Sequence, residues 1–165
     1  MALTICELVL RFILRGHNQK EAKMANVFDV AQYILHKQGE MTTMKLQKLV
    51  YYSQAWSLVW DEKLLFPECI RAWASGPVVR ELYDLHKGIF MVSRLRKGNV
   101  DNLSPEEKET IDAVLKTYGD RSAQWLSDLT HMENPWSEAR QGVSPGQYCD
   151  KEITPASMCE YYSSL

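Results

Sequence analysis

Two stretches decide the fold: KLQKLVYYSQAW, Lys45 to Trp56, and AWASGPVVRELY, Ala72 to Tyr83. Thr42 or Thr43 can cap a helix that starts near Met44 and continues to Trp60. Along it Leu46, Leu49, Val50, Tyr51, Ala55, Trp56, Leu58, Val59 and Trp60 surround most of the axis. A helix apolar nearly all round is central, with other elements packed on it. Lys45, Lys48 and Tyr52 are expected on its remaining side. In the second stretch Gly76 must avoid the helical region because Pro77 follows, and Pro77 suits the first position of a helix. The expectation is a helix launched there, carrying Val78, Val79, Leu82, Tyr83 and Leu85. Neither stretch holds a His, a Cys or an acidic pair, so both point to packing and partner recognition over catalysis.

Upstream of these stretches, Asn26 is a good N-cap for a helix with Val27, Val30, Ala31, Ile34 and Leu35 on one stripe, stopped by Gly39. Cys69 to Trp73 reads as extended or irregular. Ile89 to Leu95 alternates weakly, which suits a small strand or hairpin arm before the turn at Gly98-Asn99. Ser104-Pro105-Glu106-Glu107 is a capping box that opens a helix closed by Gly119. Ser122 opens another, Asn134-Pro135 interrupts the chain before a turn or two of helix from Trp136 to Arg140, and Thr154-Pro155 opens a last helix to Tyr161 or Tyr162. The fold class is mainly α: a compact single-domain bundle of six to seven helices, with room for a small β-hairpin.

The composition suits one domain. The chain has 165 residues, 45% apolar and 24% charged, with five Trp and eight Tyr to fill a core or anchor an interface. A net charge of −2 gives no overall basic footprint for nucleic acid, which demotes DNA or RNA as a partner without removing a local basic face. Cys6, Cys69, Cys149 and Cys159 show neither CxxC nor paired metal spacing. They read as small buried hydrophobes of a reducing compartment, and the expected localisation is cytoplasmic.

Met1 to Leu14 is apolar but too short to span a bilayer, and it lacks the pattern of a signal peptide. No membrane partner is expected. Lys20-Glu21 is encoded by a purine run that can read as a ribosome-binding site just upstream of Met24. Residues 1–23 are therefore expected to be an extension preceding a natural start at Met24, with a short amphipathic arm as the competing reading. Residues 24–165 form the expected domain.

Candidate chemistry is sparse. His86 and His131 lie near helix ends, where the dipole favours them without a catalytic role. Glu81 and Asp84, with His86 nearby, do not have the spacing of a metal site. No GxSxG and no phosphate-cradling glycine loop occurs. The expected helix start at Pro77, with Arg71 and Arg80 near it, offers a weak anion site. The expectation is no catalytic residue, no metal and no cofactor: a protein that is not an enzyme.

In order, KLQKLVYYSQAW, an LF-containing loop, AWASGPVVRELY, LSPEEKETI and LSDLTHMENPWSEAR resemble the Panacea domain family, from about Val27 to the C-terminus. That family includes SocA and phage-associated GepA-like proteins. The resemblance implies an antitoxin of a bacterial or phage toxin–antitoxin pair. Its partner is a toxin encoded by a neighbouring gene, neutralised by direct binding. The SocA variant implies a second reading, an adaptor that delivers the toxin to a protease. Self-association stays open, and a DNA-binding regulator or small enzyme ranks behind both. The family has no established catalytic residues to carry over. The preferred toxin-binding surface is Trp73, Ser75, Gly76, Pro77, Arg80 and Tyr83, with Lys45, Lys48 and Tyr52 as a second group. Against it stands the reading that Gly76-Pro77 only sets a helix entry and that Trp56, Trp73 and Tyr83 are core.

Overall fold

A computed structural model describes residues 23–165, and the expectations for the N-terminal extension, Cys6 included, lie outside the described residues. The first helix, α1 (Val27–Gln38), begins as its caps dictate. The Asn26 side chain accepts from the Phe28 and Asp29 amides while the Asp29 carboxylate accepts from the Asn26 amide, and Gly39 ends the helix at φ 78°. After β1 (Met41–Thr42), the Thr42 hydroxyl caps α2 (Thr43–Trp60) by accepting from the Lys45 amide at 3.2 Å.

A hairpin follows, β2 (Ile70–Trp73) and β3 (Gly76–Val79), then α3 (Arg80–His86) and β4 (Met91–Val92). A single 3-10 turn at Val100–Asn102 leads to α4 (Pro105–Tyr118), α5 (Ala123–Met132), α6 (Asn134–Ala139), β5 (Glu152–Ile153) and α7 (Pro155–Tyr162). The capping box at Ser104 opens α4, Ser122 caps α5 and Thr154 caps α7. Seven α-helices among the described residues make the fold mainly α. The strands form two small antiparallel sheets, β1–β4 and β3–β2–β5.

The central helix is α2, with α1, α4, α5, α7 and β3 packed around it. One apolar cluster runs from Val27, Val30 and Ile34 of α1, through Leu46, Leu49 and Val50 of α2, to Ile111 and Val114 of α4 and Met158 of α7.

Three local expectations are corrected. Pro77 does not start a helix: it lies in β3 opposite Ala72, and α3 starts only at Arg80. A proline is tolerated there because β3 is an edge strand, where a missing N–H breaks no ladder bond. The hairpin is Ile70–Trp73 with Gly76–Val79. Met91–Val92 is a small strand within Ile89–Leu95, as one of the two expectations had it, but it is no arm of a local hairpin: it pairs with Met41–Thr42 far back in the chain. Finally, the side of α2 that carries Lys48 and Tyr52 is not a polar edge, because both residues are buried.

Candidate functional site

The two deciding stretches and the THMENPW segment (Thr130–Trp136) meet in one buried polar junction. Gln47 of α2 takes the place of a strand along β3. Its Oε1 accepts from the Val79 amide at 2.9 Å, and its Nε2 donates to the Val79 carbonyl at 3.2 Å and to His86 Nε2 at 3.0 Å. Because Gln47 donates to that ring nitrogen, His86 carries its proton on Nδ1 and is neutral. Burial also lowers its pKa. At the next residue, Lys48 Nζ donates to the Pro77 carbonyl at 3.1 Å. Burial of this amine, with no carboxylate partner among the described residues, lowers its pKa to about 7.

Gly76 allows Lys48 this position. Its φ is +106°, and a Cβ there would sit 2.6 Å from Lys48 Cε and 3.0 Å from Thr130 Oγ1. The turn is held from the other side by Ser127, which donates to the Ser75 carbonyl at 3.0 Å. Trp136 Nε1 donates to the Trp73 carbonyl at 2.9 Å, and Arg140 donates to the Ala72 carbonyl at 2.7 Å. The hairpin backbone is thus held by side chains of α2, α5 and α6 and of Arg140 just beyond α6.

The tyrosine pair of α2 closes the junction. Glu133, buried between α5 and α6, accepts from Tyr52 at 3.0 Å and from Tyr162 of α7 at 2.6 Å. Tyr162 spends its only proton on Glu133, so Tyr51 donates to the Tyr162 hydroxyl, 3.2 Å away. Burial raises the Glu133 pKa, and its two tyrosine hydrogen bonds oppose that rise.

The residues proposed from sequence divide by depth. Lys48, Tyr52, Gly76 and Pro77 are buried and lie beneath the surface they shape. Ser75 and Arg80 are exposed, while Trp73, Tyr83 and Lys45 are half-buried. Trp73 and Tyr83 pack edge to face at 4.8 Å, and Asp150 accepts from both Trp73 Nε1 (3.0 Å) and Arg80 (3.2 Å). These form one patch on the outer side of the hairpin and α3. Lys45 lies apart from it, in the first turn of α2.

The remaining candidates do not converge. Glu81 and Asp84 are exposed while His86 is turned inward to Gln47. No group of three or more metal-ligating side chains occurs among the described residues. With α3 beginning at Arg80, the weak anion site has no helix start at Pro77, and Arg71 and Arg80 both bond Asp150. His131 stacks on Trp136 at 4.1 Å, and its buried Nε2 has no hydrogen-bond partner among the described residues. Of the described cysteines, Cys149 is buried, Cys69 and Cys159 are half-buried, and all three are free. No helix among the described residues is long and apolar enough to cross a membrane.

Sequence reading missed Gln47, Gln54, Glu133 and Arg140 as organising residues. A signal was present in α2. Gln47, Ser53 and Gln54 are polar positions on a helix apolar all round, so burial obliges each to find a partner. Neither the comparison with curated proteins nor that with solved structures gives a match. The family model for the antitoxin SocA-like, Panacea domain, matches residues 46–137, a span that holds Gln47, Lys48, the hairpin, Glu133 and Trp136. That match covers more than half of the 165 residues, and the chain belongs to the SocA-like Panacea antitoxin family.

Proposed function

We propose that this protein is a non-enzymatic antitoxin that neutralises a toxin encoded by a neighbouring gene through direct protein–protein binding. Family membership supports the antitoxin role. One structural observation supports binding over chemistry: Gln47, Lys48, Tyr52 and Glu133, buried polar side chains of the family-matched segment, are used on the protein's own backbone and on neighbouring side chains. Gln47 holds Val79, Lys48 holds Pro77, and Tyr52 and Tyr162 hold Glu133. A polar set spent this way builds a rigid platform, and rigid platforms bind with little ordering cost. The exposed members of the sequence-derived set, Ser75 and Arg80, with the half-buried Trp73 and Tyr83, are proposed to contribute to the toxin contact.

The test is co-expression with the product of the adjacent open reading frame. The expected result is rescued growth and a stoichiometric complex that survives purification. Disappearance of the toxin only when a cellular protease is present, with no stable complex, would overturn sequestration in favour of proteolytic delivery.

A further inference from the structure

The segment joining α3 to the 3-10 turn has the opposite character to the buried junction. Ile89, Phe90 and Met91 are consecutive and exposed at 50%, 77% and 42%, and Met44 at the start of α2 is exposed at 38%. The backbone brings them together. The Phe90 carbonyl accepts from the Thr43 amide at 3.0 Å, the Ile89 carbonyl accepts from the Thr43 hydroxyl at 3.2 Å, and Met91 lies opposite Thr42 in the β1–β4 pair. Buried Val92 and Leu95 anchor the downstream side, and the Ile89 amide donates to the His86 carbonyl on the upstream side. The three apolar side chains cannot turn inward without breaking these ties. Their exposure is built into the fold.

The same segment is locally basic within a chain of net charge −2. From Leu85 to Val100 it carries Lys87, Arg94, Arg96 and Lys97 and no Asp or Glu. All four cations are exposed, and none forms an ion pair among the described residues. An apolar tip with a basic rim complements an acidic surface that holds an apolar pocket. The centre would supply affinity by desolvation, and the rim would speed encounter and set orientation.

We infer that the Ile89-Phe90-Met91 tip, flanked by Met44 and rimmed by Lys87, Arg94 and Arg96, is the anchor by which this protein docks an acidic face of its toxin. The inference rests on the neutraliser reading and adds the partner's chemistry and the point of attachment. The tip and the Trp73–Arg80–Tyr83 patch lie at opposite ends of α3, whose seven residues span roughly 10 Å at about 1.5 Å each. Both fit within one interface of ordinary size, about 800 Å² per partner.

The experiment titrates the purified full chain against the product of the adjacent open reading frame, for wild type, Phe90→Ser, Ile89→Asp and the triple reversal Lys87→Glu/Arg94→Glu/Arg96→Glu. Circular dichroism and thermal melting check that each variant is folded. Phe90→Ser is expected to weaken affinity about 30-fold or more, the scale of an interface anchor. Ile89→Asp should do the same, and the triple reversal should slow association about tenfold at low salt and much less at high salt. If folded Phe90→Ser and Ile89→Asp both bind within about twofold of wild type, the tip is not the anchor, while the neutraliser reading stands. If wild type forms no complex and gives no rescue, both fall. If the substitutions abolish binding to phosphatidylserine vesicles or duplex DNA but leave toxin affinity unchanged, the tip serves a membrane or nucleic acid and the inference is overturned.

Discussion

Lys48 illustrates how burial turns a familiar residue into a stability device. Its amine is buried against a single carbonyl, and its pKa falls from 10.5 to about 7. Between those values the unfolded chain binds a proton that the folded chain does not, so stability should rise as pH increases through that window. Urea denaturation of wild type between about pH 7 and pH 9 should show that rise, and Lys48→Met should lack this component of it. A flat wild-type profile would mean that water or a counter-charge reaches the amine. Gly76 is constrained twice, by φ +106° and by the closeness of Lys48 and Thr130. Gly76→Ala should therefore cost about 3 kcal/mol in equilibrium unfolding, well above an exposed glycine change. In sequence Lys45, Lys48 and Tyr52 fall together on one side of α2, with Tyr51 among its apolar residues. Only tertiary contacts distinguish half-buried Lys45 from buried Lys48, Tyr51 and Tyr52.

At the scale of elements, the caps were the most legible features. Asn26, Ser104, Ser122 and Thr154 each accept from an amide two or three residues on, as local spacing dictates. The hairpin was not legible. Gly76-Pro77 suits a helix start on local grounds, yet the chain makes a strand because β2 offers pairing and Gln47 satisfies both backbone groups of Val79. Gln47→Leu should remove that support and leave the Val79 amide and carbonyl without partners. Expected is a loss of about 2–3 kcal/mol, with faster amide hydrogen exchange confined to Ile70–Val79 at an early stage. Unchanged exchange there would show that the β2–β3 ladder holds without its glutamine clamp.

For the molecule as a whole, Glu133 joins three distant segments: α2 through Tyr52, the α5–α6 junction where it sits, and α7 through Tyr162. Glu133→Ala should cost about 3 kcal/mol by orphaning buried hydroxyls, and Glu133→Gln should recover much of it because an amide oxygen still accepts. Tyr162→Phe combined with Glu133→Ala should cost less than the sum of the two, since they share one network. Additive losses would show that α7 docks by apolar packing alone. The candidate surface follows a different logic: Phe90 is exposed because Thr43 pins its carbonyl, so substitutions there should change binding and leave the melting temperature unchanged.

The helical class, most helix boundaries and the family are legible in the chain alone, because caps, apolar periodicity and unusual strings are local properties. Tertiary structure alone decided that Pro77 lies in a strand, that Lys48 and Tyr52 are buried, and that an apolar, basic-rimmed tip projects at Phe90. The physical reason is common to all three. Each depends on a partner far along the chain: Gln47 and Lys48 of α2 bonding Val79 and Pro77 of β3, the hairpin and Glu133 covering Lys48 and Tyr52, and Thr43 holding the carbonyls of Ile89 and Phe90. Local propensity carries no record of such partners.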